Sequence, residues 1–296
     1  MSLVLATALA VFVRPVISAF ARWPHGPWPF GAVDAMARLL LRPRHTYRRA
    51  VRLPNCPAEM ITPVSARPGD AILYLHGGGF ITCGLNTHRR LAADIARAAA
   101  STALAVCYRQ LRKAKLAEAL DDAVDGYREL LARGHAPGDI SIVGDSAGGY
   151  LALATALAVQ RLGLGRPGAV VVISPVTSVD AEAPSLIDFD DPLLTAPALR
   201  AIWRMLSDGG PDADRYLPLN ELANLPPTLI QVGTREVVYP GSLVLAGQLA
   251  VAGVPHQLQI WEGQFHVFQA AAPVLEPARR AVAEIGTFLQ DKTFHH

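Results

Sequence analysis

Short apolar runs alternate with helical patterns from residue 59 onward. Six runs are rich in aliphatic and β-branched residues and have the length of strands: 71–78, 102–108, 140–145, 169–175, 228–233 and 256–261. Most of the intervals between them show apolar residues three and four positions apart, which predicts helices over 88–99, 115–132, 147–162, 242–252 and 276–290. Apolar strands joined by helical crossovers indicate an α/β fold, with a mostly parallel central sheet and helices on both faces.

One interval breaks this alternation. Residues 178–226 are irregular and rich in Asp and Pro, and they contain a single helical pattern near 196–206. We expect this insertion to fold with the N-terminal segment into a lid over the carboxyl ends of the strands, where ligands bind in open α/β sheets. The predicted divisions are the N-terminal part of the cap over 1–50, the core over 51–177, the cap insertion over 178–226 and the rest of the core over 227–296.

The first 21 residues, MSLVLATALAVFVRPVISAFA, are mostly apolar. No Lys or Arg precedes the run, and Arg14 and Pro15 interrupt it before the ~20 residues that a membrane span requires. We therefore favour an amphipathic helix lying on the fold over a cleaved signal peptide. The basic segment RPRHTYRR at 42–49 is typical of a solvated face. Together with the apolar helix, it leaves a weak contact with a membrane surface as an alternative.

The charge and cysteine content limit the classes of partner and cofactor that we expect for this chain. Lys and Arg total 27 against 25 Asp and Glu, without the dense basic stripe of nucleic-acid-binding proteins, so we exclude nucleic acid as a partner. Cys56, Cys83 and Cys107 have no CxxC spacing, which favours neither a disulfide framework nor a zinc site. We expect a reducing compartment, hence a cytoplasmic location, and no metal or cofactor. A homodimer stays open as an alternative to a monomer.

The stretch VGDSAGGY at 143–150 places one serine among glycines, between an apolar strand and a helix. In that context the GxSxG pattern predicts a strained turn that exposes Ser146 at its tip as a nucleophile. Gly144 and Gly148 would let the turn close, and Gly149 would help the helix pack against its strand. We expect Asp145, beside the serine, to be structural.

A second glycine-rich motif, HGGGF at 76–80, follows AILYL, the apolar part of the first predicted strand. Glycines lack Cβ atoms, so this backbone can turn its N–H groups toward a substrate oxygen and form an oxyanion hole. The alternatives are a flexible turn or a phosphate-binding loop. The motif lacks the GK[ST] of a P-loop and the GxGxxG spacing of a dinucleotide fold. We expect the nearby Cys83 to form a small part of the pocket wall.

A serine hydroxyl needs a base, and we assign that role to His266, in EGQFHVF after the last predicted strand. Most of the other histidines have simpler explanations: His25, His45, His88 and His135 are expected in loops or on polar faces, and His295 and His296 end the chain, either as native residues or as a tag remnant.

The acid that orients this histidine should lie between the serine and the histidine in the chain. Glu236 is the only carboxylate in the loop TREVVYPGS, after the strand at 228–233, and it is our candidate. The alternatives are a surface role for Glu236, or one of four rival acids: Glu262, Asp188, Asp190 and Asp191. The three aspartates fall in the insertion, where such an acid is not expected.

With these motifs in this order, the sequence resembles the hormone-sensitive-lipase-like branch of the α/β-hydrolases. HGGGF, GDSAGG and GQFHVF carry the likeness, with SPVTSVDAEAPSLIDFDDPLLT and LANLPPTLIQVGTREVV, over about residues 60–290. The resemblance implies an α/β-hydrolase fold with a helical cap, and a serine carboxylesterase activity. It also implies that the N–H groups of Gly78, Gly79 and Ala147 form the oxyanion hole.

Two departures from the family pattern stand out. The family writes YRLAPExPxPAALDD where positions 108–122 here are YRQLRKAKLAEALDD, and because this segment braces the fold beneath the site, we expect local packing rather than chemistry to change. The other departure is Glu236 in place of the usual aspartate, and its extra methylene can be absorbed by recessing the loop.

The expected reaction is hydrolysis of small-molecule carboxylic esters with short to medium acyl chains through an acyl-enzyme intermediate. An apolar substrate pocket is expected from Phe80, Trp203, Met205 and Leu206. Amide deacetylation and lactone opening would use the same residues, and a non-catalytic small-molecule receptor of the same fold is a further alternative.

Overall fold

A computed structural model describes residues 7–8, 10–39, 43, 45–111, 114–177, 189–207 and 219–291. Its strands form one eight-stranded sheet: β1 (Thr46–Arg52), β2 (Pro57–Pro63), β3 (Ala71–Leu75), β4 (Thr102–Val106), β5 (Ile140–Asp145), β6 (Ala169–Ile173), β7 (Thr228–Gly233) and β8 (His256–Trp261). The strand order is β1-β2-β4-β3-β5-β6-β7-β8. Strands β3 to β8 pair in parallel, and β1 and β2 join as an antiparallel edge.

The longer helices are α1 (Arg14–Arg22), α2 (Phe30–Met36), α3 (Leu85–Ala98), α4 (Leu116–Ala132), α5 (Ala147–Arg161), α6 (Ala196–Ser207), α7 (Tyr239–Val251) and α8 (Glu276–Gln290). Helices α4, α5 and α7 bury their apolar residues on one face of the sheet, and α3 and α8 cover the other face. Strand β5 lies between these layers and every one of its residues is buried. Sequence analysis correctly predicted the α/β class, the parallel strands and the covering helices.

The β1–β2 hairpin is the part of the sheet that the sequence patterns missed. Strand β1 has the sequence TYRRAVR and exposes most of its residues, because it is the edge of the sheet. Strand β2 starts and ends with proline, a residue that is confined to edges and strand ends because it lacks a backbone N–H. The strand β1 spans the predicted boundary between residues 50 and 51.

The N-terminal segment lies on the fold. Helix α1 packs against α6, and its buried Phe20 meets the rings of Trp28 and Phe30 edge to face at 6.1 and 5.7 Å between centroids. In the part of the chain that the structure describes, no helix has both the length and the apolar character needed to cross a bilayer.

Candidate active site

Ser146 occupies a strained turn at the carboxyl end of β5. Its φ and ψ are 53° and −121°, a conformation that a residue with a side chain rarely adopts, and its N–H donates to the carbonyl of Ile173 at 2.8 Å. The neighbouring glycines permit this turn, because a Cβ on Gly144 would overlap the carbonyl of Gly148, and a Cβ on Gly148 would overlap the carbonyl of Leu75. Strand β5, helix α5 and strand β3 therefore meet at backbone contact around the serine.

The structure brings Ser146, His266 and Glu236 together from the ends of β5, β8 and β7. The Nε2 of His266 lies 2.9 Å from the Oγ of Ser146, and its Nδ1 lies 3.1 Å from the Oε2 of Glu236. All three residues are buried. The arrangement has the nucleophile, base and orienting acid of an acyl-transfer site at hydrogen-bond distances.

Burial and charge act in opposite directions on His266. Burial of the imidazole disfavours its charged form, but the hydrogen bond and negative charge of Glu236, together with the negative charges of Asp191 and Asp145, outweigh burial and raise the pKa of His266 above its ordinary value. The carboxylate of Glu236 thus favours the imidazolium form of the His266 ring.

Glu236 is itself held in place by donors that the sequence did not indicate. Its Oε1 accepts hydrogen bonds from the N–H of Gly233 at 2.6 Å and from the Oγ of Ser174 at 2.9 Å. Ser174 follows β6 with a positive φ of 47°, and its Oγ also accepts the N–H of Val267 at 3.0 Å. Ser174 therefore ties the loop of the acid to the loop of the histidine. The one available signal was its position near the end of the strand predicted at 169–175.

The rival carboxylates occupy other positions. Glu262 is exposed and accepts from the hydroxyl of Thr234 at 3.3 Å, and Asp190 is exposed and pairs with Arg235 at 2.7 Å. Asp188 lies outside the described residues. None of the described rivals hydrogen-bonds to His266.

Asp191 differs from the other rivals because it is fully buried near the site. Its Oδ1 accepts the N–H groups of Leu193 and Leu194 at 2.9 and 3.2 Å, and its Oδ2 has no hydrogen-bond partner among the described residues. Burial raises the pKa of Asp191 to about 6, an effect that the charge of His266 opposes and that of Glu236 reinforces. No pattern in residues 178–226 indicates a buried carboxylate.

The glycine motif forms a loop beside the serine. Gly78 and Gly79 have positive φ angles of 113° and 63°, and the N–H of Gly77 donates to the Oδ2 of Asp145 at 3.1 Å. Gly78, Gly79 and Ala147 line the same cavity as Ser146. The loop can present N–H groups to an oxygen bound next to the serine.

This cavity has a volume of about 440 Å³ and mostly apolar walls. Helices α1, α2 and α6 and the residues that flank them supply much of its lining: Val16, Ile17, Phe20, Trp28, Phe30, Val33, Leu194, Leu199, Ile202 and Trp203. Because the cavity lies beneath these segments, Ser146 is only 7% exposed, less open than a serine at the tip of an uncovered turn.

Two of the four predicted pocket residues, Phe80 and Trp203, line the cavity. Met205 does not, because it lies further along α6, where it packs against the hydrophobic core. The side chain of Leu206 lies outside the described part of the structure. Cys83 lines the cavity, and burial raises the pKa of its thiol to about 12, so the thiol stays protonated.

The altered segment at 108–122 braces the glycine loop. The hydroxyl of Tyr108 donates to the carbonyl of His76 at 2.7 Å, and the N–H of Leu111 donates to the carbonyl of Phe80 at 2.8 Å. Arg109 closes the segment by hydrogen-bonding to the carboxylate of Asp122. Residues 112 and 113 of this segment lie outside the described residues.

The comparisons with known proteins agree on one family. The profile of the α/β-hydrolase fold matches residues 72–270. The chain is 41% identical to the esterase LipU of Mycobacterium tuberculosis, over 95% of this chain and 99% of LipU. It is 38% identical to the carboxylesterase/phospholipase LipF of the same species, over 97% of this chain and 81% of LipF. A crystal structure of an esterase from the bacterial hormone-sensitive lipase family superimposes with a TM-score of 0.83 and 31% identity, covering 94% of this chain and 97% of that one.

Proposed function

This chain belongs to the hormone-sensitive-lipase-like branch of the α/β-hydrolase family, and from that premise we propose that it hydrolyses carboxylic esters by acyl transfer through Ser146. The observation that carries this proposal is the hydrogen-bonded chain from Ser146 through His266 to Glu236, at the bottom of an apolar cavity. The esterase names of the relatives support the same reaction.

In the first step, the Oγ of Ser146 attacks the ester carbonyl while the Nε2 of His266 accepts the hydroxyl proton. The carbonyl oxygen becomes an oxyanion, which the N–H groups of Gly78, Gly79 and Ala147 stabilise. Glu236 keeps the imidazole oriented with Nε2 toward the serine and stabilises the imidazolium. The imidazolium then gives its proton to the departing alkoxide, the C–O bond breaks, and the acyl group stays on Ser146.

In the second step, water attacks the acyl-enzyme while His266 accepts a proton from it. The second tetrahedral intermediate uses the same oxyanion donors. Its collapse returns the proton to Ser146 and releases the carboxylic acid. Every proton transfer in the cycle thus runs through one ring nitrogen, the Nε2 that the structure places 2.9 Å from the serine.

A series of p-nitrophenyl esters of increasing acyl length, with an arylacetamide and a lactone alongside, tests this proposal. A cavity of about 440 Å³ is toward the small end of the ~300–1,000 Å³ usual for small-molecule sites, so we expect kcat/KM to peak at short to medium chains. Preferred turnover of the arylacetamide or the lactone would reassign the substrate class. No turnover of any of them would favour a non-catalytic receptor.

The raised pKa of His266 predicts a specific pH dependence. The ring must be neutral to accept the serine proton, so kcat/KM should fall as the pH drops through the pKa of His266, above the ordinary imidazole value of 6.5. In Glu236→Gln the group that raises this pKa is gone and burial dominates, so the acidic limb should move to lower pH. Ester hydrolysis followed at the isosbestic wavelength of p-nitrophenol measures both profiles. An unchanged limb in Glu236→Gln would contradict this assignment.

We also propose that α1, α2 and α6 form the cap and that the outer surface of α1 and α2 makes a weak contact with membranes. This surface exposes large apolar side chains that do not line the cavity: Val11, Phe12, Trp23, Met36 and Leu39. Its basic residues are Arg14, Arg22 and Arg38, and the one carboxylate between residues 11 and 39, Asp34, is bonded to the start of α3. Exposed apolar groups flanked by arginine suit an anionic lipid surface.

Co-sedimentation with vesicles tests this contact. We expect more binding to phosphatidylglycerol vesicles than to phosphatidylcholine vesicles, and less binding after the double change Phe12→Ser and Trp23→Ser. Leu162→Ser, on an exposed apolar residue at the end of α5, is the matched control. Equal binding by both variants, or none by the wild type, would contradict a lipid contact at this surface.

Two further expectations stay predictions. The described cysteines Cys56, Cys83 and Cys107 are free thiols, which fits the cytoplasmic location that we propose. We propose a homodimer as an alternative to a monomer, and light scattering on the eluting peak of a size-exclusion column distinguishes the two by their molar mass.

A further inference from the structure

A hydrogen-bond network surrounds the buried carboxylate of Asp145. The Oδ2 of Asp145 lies 3.1 Å from the Nε2 of His88 and accepts the N–H of Gly77, also at 3.1 Å. The hydroxyl of Tyr74 donates to Oδ1 at 2.6 Å. Asp145 is the residue directly before Ser146, and Gly77 is directly before Gly78, so this carboxylate joins the nucleophile turn to the glycine loop.

His88 has both ring nitrogens engaged. Its Nδ1 lies 2.9 Å from the hydroxyl of Thr87, which in turn lies 3.2 Å from the Oδ1 of Asp34. The imidazole of His88 therefore contacts the carboxylate of Asp145 directly and reaches the carboxylate of Asp34 through the hydroxyl of Thr87. With no free ring nitrogen, His88 cannot act as a base or donor toward a substrate, although it borders the cavity.

The charges in this network favour an imidazolium at His88. Burial alone would lower the pKa of His88, but the charge and hydrogen bond of Asp145, with the charge of Asp34, raise it. The other titratable ring nearby, His76, lies 5.6 Å away between ring centroids, and burial together with the positive charge of His88 lowers the pKa of His76 to about 4. The buried carboxylate of Asp145 and the half-buried carboxylate of Asp34 thus both favour the charged form of His88, whereas His76 favours its neutral form.

The geometry around Gly77 depends on this pair. A Cβ on Gly77 would overlap the Oδ2 of Asp145, so the glycine loop packs tightly against this carboxylate. If His88 were absent, Oδ2 would lose one of its two partners, and a buried ionised carboxylate with too few partners reorients or takes up a proton. Either change weakens the hydrogen bond from the N–H of Gly77 to Asp145. The orientation of Gly78 and Gly79 then becomes less well fixed.

The chain of contacts ends in the cap. Asp34 belongs to α2, and it accepts the N–H groups of Asn86 and Thr87 at 2.9 and 3.0 Å at the start of α3. The neighbours of Asp34 on α2, Phe30 and Val33, line the cavity. Docking of the cap is therefore connected to the glycine loop by Asp34, Thr87, His88 and Asp145.

From these contacts we propose that His88 is a positioning residue, which holds the oxyanion loop in its working geometry through the carboxylate of Asp145 and ties that geometry to the docked cap through Asp34. This inference rests on the proposed ester hydrolysis. It adds a role for a histidine that we wrongly expected in a loop or on a polar face, since the side chain of His88 is only 15% exposed and both of its ring nitrogens are engaged.

The test compares His88→Ala, His88→Gln and Asp34→Asn, with His256→Gln as the control. His256 is also partly buried and hydrogen-bonded, to the carbonyl of Val254 at 2.9 Å, but it lies on β8 at the far edge of the sheet. Each kcat is divided by the concentration of active sites, titrated with a p-nitrophenyl phosphonate. The inhibition constant of a trifluoromethyl ketone, which forms a tetrahedral oxyanion on the serine, is measured in parallel.

Oxyanion donors act mainly in the transition state, so His88→Ala should lower kcat per active site about 10- to 100-fold with little change in KM. This loss is smaller than the roughly 10²- to 10³-fold fall in kcat that follows removal of a complete oxyanion donor. The ketone should bind more weakly in proportion to the fall in kcat/KM. His88→Gln keeps one amide donor for Asp145 and should recover part of the loss, Asp34→Asn should show a smaller loss in the same direction, and His256→Gln should equal the wild type.

A merely structural role for His88 would reduce the number of titrated sites and leave kcat per site and ketone affinity unchanged, and that result would overturn the proposal. If His88→Ala does not fold, His88→Gln and Asp34→Asn decide the question by the same two measurements. Wild-type turnover of the ester is measured first. Its absence would contradict the proposed function itself, whereas wild-type activity with unaltered variants would contradict only the role of His88.

Discussion

Ser146→Ala is expected to lower kcat for a p-nitrophenyl ester about 10⁶-fold, because the variant keeps the cavity and the glycine loop but has no atom to form the acyl-enzyme. Removal of one oxygen changes little in the packing around the turn, since alanine retains the Cβ that the positive-φ turn already accommodates. Steady-state kinetics measure the loss, and a thermal unfolding curve close to that of the wild type shows that the fold is intact.

Cys83 provides the matched control for Ser146. It is a second nucleophilic side chain in the cavity wall, and burial raises the pKa of its thiol to about 12. Cys83→Ser should therefore keep its turnover, within the small changes that a packing adjustment causes. A Ser146→Ala enzyme that hydrolyses esters within about tenfold of the wild-type rate would show that the serine is not the nucleophile.

Glu236→Ala is expected to lower kcat roughly 10⁴-fold. The change removes the acceptor that orients the Nδ1–H of His266, so the ring loses both its orientation and the charge that stabilises the imidazolium. It also leaves the N–H of Gly233 and the hydroxyl of Ser174 without their buried acceptor, which costs stability of about 1–3 kcal/mol for each group. Kinetics and thermal unfolding separate the two effects.

Two carboxylate variants make the Glu236 result specific. Glu262→Gln changes an exposed carboxylate in the same part of the molecule, and we expect wild-type turnover. Asp191→Asn changes the buried rival while keeping an oxygen for the N–H groups of Leu193 and Leu194, and we expect turnover near that of the wild type. A large loss in Asp191→Asn with near wild-type turnover in Glu236→Ala would assign the acid to the insertion.

The sequence predicted those parts of the fold that depend on local patterns. The parallel strands are apolar on both faces because helices cover both sides, so their composition alone marks them. The hairpin of β1 and β2 carries no such mark, since an edge strand with exposed arginines and a strand bounded by prolines resemble loops. Its place in the sheet depends on pairing with β4, which sequence periodicity does not encode.

The same distinction holds at the site. Ser146, Glu236 and His266 follow strands whose carboxyl ends share one edge of the sheet, so chain order and strand prediction together brought them close. Met205 was wrongly predicted to line the pocket, because the position of the cavity wall depends on how α6 packs against α1. His88 was missed since its partner Asp145 lies 57 positions away, and only the folded chain shows that the two side chains meet.

Covalent labelling by a p-nitrophenyl alkylphosphonate tests the central claim most directly, because only an activated nucleophile next to oxyanion donors reacts quickly with it. We predict that loss of esterase activity parallels a single adduct per chain, that peptide mapping places this adduct on Ser146, and that His266→Ala labels far more slowly. Loss of activity with the adduct on another residue, or without any adduct, would contradict acyl transfer through Ser146.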